Sequence, residues 1–255
     1  MTNIIEASSM TKRVALGKNT ELSILRDINL KVKKGEFLSV MGPSGSGKST
    51  LLYNISGMDR MTSGSVKYQG REIGSLKEED LAKIRLGTMG FIFQDINLLK
   101  NLSLIDNIMF PALAAADANK HTISQKAKQL MKMTGIEKIA DHTSTQGSGG
   151  QLQRVGICRA LINNPDIIFG DEPTGALDSK ATEEIMSILA EINKTGTTVM
   201  LVTHDVKVAA KTERILFMID GKIVSQKKMR KYDARQDDRK EREESIMKWL
   251  MENGL

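Results

Sequence analysis

The stretch Gly42-Pro43-Ser44-Gly45-Ser46-Gly47-Lys48-Ser49, followed by Thr50, constrains this chain more than any other. It fits G-x-x-x-x-G-K-[ST], a loop that leaves a strand and opens a helix while its backbone amides surround phosphate. The flanks suit that geometry. Phe37-Leu38-Ser39-Val40-Met41 predicts a short buried strand, and residues 50–55 predict the helix that follows. Glycines 42, 45 and 47 reach backbone angles closed to other residues, so successive N–H groups can turn toward one anion at the helix's positive end. Lys48 adds a full charge for the β- and γ-phosphates, and the Ser49 hydroxyl is placed to ligate Mg²⁺. Nucleotide binding is the expectation.

With 255 residues the chain can bury a sizeable core in one large domain, or in one domain with a subdomain. Its one cysteine, Cys158, excludes an internal disulfide and is expected to pack in a helix. Residues 1–6 carry no signal-peptide pattern, so the expected compartment is the cytosol. No apolar run approaches the roughly 20 residues that cross a bilayer. The longest low-charge stretch, Ile108 to Ala116, is too short and contains Pro111. The net charge of +6 weighs little, because residues 226–244 hold eight Lys/Arg against six Asp/Glu and read as a solvated helix face. Aromatic residues make up only 4% of the chain, which argues against base stacking and a nucleic-acid partner.

Residues 4–8 and then Ile28, Leu30 and Val32 alternate as half-buried antiparallel strands do. Gly35 marks a turn, Thr62-Ser63-Gly64 another, and residues 65–68 read as a further edge strand before Gly70. Phe91-Ile92-Phe93 is a strand ending at Gln94. From about Ile105 to Asn164 the pattern turns helical, with Lys126, Leu130 and Met133 at helical spacing and a break at Gly135. This block is expected to insert into an α/β core, which resumes with a strand at 166–170. A helix over 180–193 precedes the unbroken β-branched and apolar run 197–202, which suits a strand covered on both faces. Residues 214–219 turn at Asp220-Gly221 into a hairpin with 222–224. Ile246, Trp249 and Leu250 fall on one face of a terminal helix, expected to pack on the chain's own core.

Asp171-Glu172 stands at the C-terminal edge of strand 166–170. There one carboxylate can hold Mg²⁺ through water and the next can orient an attacking water. His204 follows strand 197–202 and could touch a γ-phosphate, although a single histidine is more often structural. His121 and His142 have no nearby ligand pattern and read as surface residues. Ser148-Gly149-Gly150-Gln151 repeats the phosphate-binding logic without a lysine, ahead of a helix carrying Arg154 and Arg159. One chain rarely needs two such anion sites, so the second is expected to face the phosphates of a neighbouring molecule.

Residues 42–49, Gln94, 148–151, 167–172, Ala176-Leu177-Asp178 and Thr203-His204-Asp205 stand in an order and spacing that resembles the ATP-binding subunits of ABC transporters. The resemblance covers residues 4 to about 225. It implies a RecA-like P-loop NTPase core with an antiparallel β edge subdomain and an inserted α-helical subdomain. The core would be residues 1–93 and 166–225 and the insert about 94–165, with 226–255 a charged tail ending in a short amphipathic helix. It further implies that two chains close head to tail over two ATP molecules. In that arrangement Gln94 ligates Mg²⁺, Glu172 is the general base, His204 contacts the γ-phosphate and Asp178 reaches across the pair.

The stretches 91–99 and 171–180 resemble the subgroup serving macrolide export, lipoprotein release and antimicrobial-peptide resistance. That implies a subunit peripheral on the inner membrane face, energising a separate transmembrane permease of the FtsX-like type. The alternatives are a signalling or mechanical complex that moves no substrate, and a P-loop enzyme such as a small-molecule kinase. Two positions depart from the family. Gly147 stands where leucine is usual, which is expected to loosen the loop. Val14 stands where an aromatic usually stacks on adenine, so discrimination of ATP from GTP is expected to be weak.

Overall fold

Two sheets divide the strands in the computed structural model, which describes residues 2–17, 20–114, 119–233 and 238–254. Strand β3 (Phe37–Met41) is buried at every residue and ends at the phosphate loop. It sits inside a six-stranded sheet. Beside it run β8 (Thr198–Val202) and β9 (Arg214–Ile219), both parallel to it. Beyond β8 lie β7 (Ile167–Asp171) and then β6 (Met89–Phe93), also parallel. The far edge is β10 (Lys222–Lys228), antiparallel to β9. Strands covered on both faces read as continuous apolar runs, which is why β3 and β8 are visible in the sequence.

The two faces of this sheet feed different cores, as alternation along a strand requires. Met200 and Val202 of β8 join Leu51, Leu52 and Ile55 of helix α1 (Lys48–Ile55), while Val199 and Leu201 face the opposite core. The first core is closed by a four-stranded antiparallel sheet. Its long pair, β1 (Asn3–Ala15) and β2 (Glu21–Lys33), reaches well past the alternating segments. The strand expected at an edge, β4 (Ser63–Tyr68), lies instead between β1 and the short β5 (Arg71–Glu72). Glu72 holds it there by accepting from Ser65 Oγ and from Val66 N at 3.2 Å.

Helix α2 (Glu78–Thr88), between β5 and β6, is not anticipated from the hydrophobic pattern. It buries only Leu81, so the pattern is nearly silent. Its readable signals are the acidic first turn Glu78, Glu79 and Asp80 and Arg85 in the last turn, which complement the helix dipole. Helices α3 (Leu104–Leu113), α4 (Lys120–Met133) and α5 (Gly149–Leu161) form the helical block around their own core of Leu104, Ile108, Met131 and Val155. Ala115 and Ala116, the end of the low-charge stretch, lie outside the described residues. Cys158 packs in this core with its sulfur 3.2 Å from Thr134 Oγ1, and burial pushes its thiol up to about 12. His121 is exposed, whereas His142 is half-buried rather than a surface residue.

Helices α6 (Ser179–Lys194) and α7 (Val206–Ala209) cover the second face of the large sheet. The terminal helix α8 (Arg239–Glu252) docks beside α7. Ile246 and Leu250 are fully buried against Ala209, Ala210, Ile215 and Phe217, and Trp249 meets Phe217 edge-on at 5.9 Å between ring centres. The charged run is not a solvated face throughout. Arg242 and Asp238 are buried, and residues 234–237 lie outside the described residues.

Candidate functional site

At the C-terminal edge of β3 the chain turns at Gly42 with φ +154°, where a Cβ would sit 2.1 Å from the Met218 carbonyl oxygen. Gly47 caps α1 at φ +95° with no side-chain hydrogen bond to the helix amides. The first amides of a helix have no partner inside it, so those of Lys48, Ser49 and Thr50 point into the loop. Ser46 Oγ is buried in the same loop without a partner among the described residues. Lys48 folds over the loop and donates to the carbonyls of Gly42 at 2.9 Å and Pro43 at 2.8 Å. Burial lowers the pKa of its ammonium, opposed by the nearby charges of Glu172 and Asp171. Carbonyl dipoles are weaker partners for an ammonium than a phosphate oxygen, so a phosphate entering the loop would draw Lys48 onto itself.

Asp171 ends β7 and is held from α1 at both oxygens. Ser49 donates to Oδ1 at 2.8 Å and Tyr53 donates to Oδ2 at 2.6 Å. Burial and the Asp171 carboxylate raise the Tyr53 phenol, which therefore stays a donor. Tyr53 carries no motif and reads in sequence as one more core residue of a helix; its partner is 118 residues away.

Glu172 takes φ +47°, a left-handed backbone that costs a non-glycine residue about 1–3 kcal/mol. It is clamped there on both sides: its amide donates to Val202 O at 3.0 Å and its carbonyl accepts from Gly175 N at 3.0 Å. Its Oε1 lies 2.8 Å from His204 Nδ1, and the His204 side chain is 72% exposed against 19% for Glu172. Gln94, exposed after β6, lies against the same turn: a Cβ on Gly175 would meet its amide at 3.2 Å. The phosphate loop with Asp171 on one side, and Glu172 with His204 and Gln94 on the other, thus share the C-terminal edge of one sheet, where α/β folds bind ligands.

Ser148, Gly149, Gly150 and Gln151 lie elsewhere. Ser148 caps α5 and Gln151 caps it in return, with Ser148 N donating to Gln151 Oε1 at 2.9 Å. This corner lines a cavity of about 420 Å³ with Asp178 and Lys180, and no residue of the phosphate loop lines it. Asp178 caps α6 by accepting from Ala181 N at 2.8 Å. At Gly147 a Cβ would sit 2.6 Å from Leu152 Cδ2, so Leu152 already fills the space a side chain there would need. Val14, 39% exposed, pairs across the strands with the exposed Leu22.

The Ser49 hydroxyl, the Asp171 carboxylate and the Gln94 amide oxygen are hard oxygen donors, which suit Mg²⁺. Among the described residues no group of three or more His, Cys, Asp or Glu could cage a metal. Mg²⁺ keeps several waters and substrate phosphates as ligands, so it needs few protein oxygens.

A RecA-like core with an antiparallel sheet, an inserted helical block and this phosphate loop defines a P-loop nucleoside triphosphatase of the cassette type. Residues 25–175 match the family model described as ABC transporter. The chain is 42% identical over 241 residues to the ABC transporter ATP-binding protein MJ0796 of Methanocaldococcus jannaschii, covering 91% of this chain and 100% of that one. It is 42% identical to the bacitracin export ATP-binding protein BceA of Halalkalibacterium halodurans, over 88% of each. It is 45% identical to the probable syringafactin export ATP-binding/permease protein SyfD of Pseudomonas syringae, matching 87% of this chain but only 34% of that longer protein. The dimeric MJ0796 structure bound to ADP and Pi superposes with TM-score 0.83 at 40% identity, over 89% of this chain and 100% of that one. The chain belongs to the ABC transporter family.

Proposed function

We propose that this chain binds and hydrolyses ATP as one of a pair of identical subunits and so energises a separate membrane permease. The cargo class is an amphiphilic compound, as the export relatives named for bacitracin and syringafactin suggest. No helix among the described residues is long and apolar enough to cross a membrane. On this reading the chain sits against the inner membrane face through its permease.

One observation carries the reading: each chain holds a phosphate loop with its carboxylate pair and, apart from it, a glycine-rich helix start with no lysine. Two copies in head-to-tail contact bring one of each to every nucleotide. The amides of residues 45–50 then hold the phosphates, with Pro43 and Ser44 forming the outer turn of the loop, and Lys48 leaves its two carbonyls for the β- and γ-phosphates. Ser49, Gln94 and Asp171 would hold Mg²⁺, which would supply neutralisation of charge on the phosphate oxygens. Glu172 accepts the proton of the attacking water, and the exposed His204 turns from Glu172 to the γ-phosphate. Ser148, Gly149, Gly150 and Gln151 close over that phosphate from the partner, with Asp178 at the seam.

Light scattering tests the pairing. With Mg²⁺ and the non-hydrolysable analogue adenylyl imidodiphosphate the mass should double; a chain that stays single, or purifies with a different ATPase chain, overturns the homodimer. Val14 sets a second expectation. Without a ring to stack on the base, ATP and GTP should bind within about tenfold of each other. A titration showing a larger preference for ATP would count against an aliphatic base platform.

A further inference from the structure

Asp171 is gripped by two hydroxyls of one helix. Ser49 holds Oδ1 at 2.8 Å and Tyr53 holds Oδ2 at 2.6 Å. Those two residues are four apart on α1 and therefore neighbours on one face, so the carboxylate spans a single helical turn. The Tyr53 ring is half-buried and packs against the core between the sheets, which fixes where its hydroxyl can reach. A carboxylate is otherwise soft about its terminal torsion, whose distribution is broad and two-fold.

We propose that Tyr53 is a positioning residue for the divalent cation: its hydroxyl pins Asp171 Oδ2 and thereby keeps Oδ1 turned toward Ser49 and the ion. The inference rests on the nucleotide site proposed above. A serine hydroxyl could ligate the cation through an oxygen lone pair and still donate its one proton to Oδ1, so Ser49 would be shared between the ion and the carboxylate while Tyr53 serves the carboxylate alone. Partners of this kind, one bond removed from a metal, typically change metal affinity by about 10–100-fold when removed.

Tyr53→Phe keeps the ring and its packing and removes the hydroxyl alone. Calorimetric binding of adenylyl imidodiphosphate, repeated over a series of free Mg²⁺ concentrations, separates the two effects. Binding without Mg²⁺ should stay within about twofold of wild type, while the Mg²⁺ needed for half the gain in affinity should rise by about 10-fold. In an Asp171→Asn background the same change should add nothing, because the hydroxyl acts through that carboxylate. A Mg²⁺ requirement within about twofold of wild type overturns the proposal even if Tyr53→Phe lowers the melting temperature. So does an effect of full size in the Asp171→Asn background. Wild-type protein that binds no analogue at any Mg²⁺ concentration would instead remove the nucleotide reading itself.

Discussion

Replacing Glu172 with glutamine should lower ATP turnover by about 10²–10⁴-fold while leaving ATP binding in place. The substitution keeps the shape of the side chain and removes the proton acceptor. Glu172 is also the residue whose backbone is held at φ +47°, between Val202 and Gly175, and that clamp involves main-chain atoms alone. Glutamine inherits it unchanged, so the loss isolates proton transfer from positioning. His204 Nδ1, 2.8 Å from Glu172 Oε1, can bond to an amide oxygen as well, and the neighbouring turn with Gln94 stays in place. With hydrolysis blocked and binding intact, ATP itself should hold two chains together, seen as a doubled mass that persists through gel filtration. Turnover near the wild-type rate would remove Glu172 as the base. Slow turnover without an ATP-held pair would instead favour a P-loop enzyme that works alone, such as a small-molecule kinase.

How much of this site can be read from the chain depends on how local its chemistry is. The phosphate loop is eight consecutive residues between a buried strand and a helix, and β3 and β8 are apolar throughout because both their faces are covered. Asp171 ends β7, Glu172 comes next and His204 lies two residues past β8, so all three fall at one sheet edge once those strands are placed. Tyr53 is different: a tyrosine after Leu51 and Leu52 in a helix looks like core, and only the fold brings Asp171 to its hydroxyl. The backbone of Glu172 leaves no trace either, since glycine and asparagine mark left-handed positions and glutamate does not. The placing of β4 inside its sheet is a local matter instead, a hairpin to β5 braced by Glu72 from six residues away, and it is hard to read because a two-residue strand leaves no pattern.

The C-terminal tail shows the same limit and carries the second large expectation. Its apolar stripe is legible, but Arg242, inside a run of alternating charges, is 4% exposed. Its guanidinium donates to Ala210 O at 2.6 Å, Thr212 O at 2.9 Å and Arg230 O at 3.0 Å. The first two carbonyls belong to the end of α7 and the residues just after it, where the helix dipole is negative and the chain has no further amides to offer. The Tyr232 ring lies near both Arg242, 5.7 Å from its centre, and Lys211, 5.5 Å from its centre. Lys211 in turn meets Glu183 of α6, which Arg239 also holds at 2.8 Å. Arg242→Ala strips three carbonyls of their donor at once, and an unpaired buried acceptor costs about 1–3 kcal/mol. Allowing for water entering the space, about 3 kcal/mol of stability should go, which is roughly 6–12 °C of melting temperature for a chain of this size. Arg242→Lys should recover only part of that, because a single ammonium cannot reproduce a planar fork across three acceptors. α7 begins two residues after His204, so the clasp also steadies the segment behind the residue proposed to meet the γ-phosphate. A melting temperature for Arg242→Ala within about 2 °C of wild type, joined to loss of membrane recruitment on deleting residues 230–255, would make the tail a docking arm for a partner.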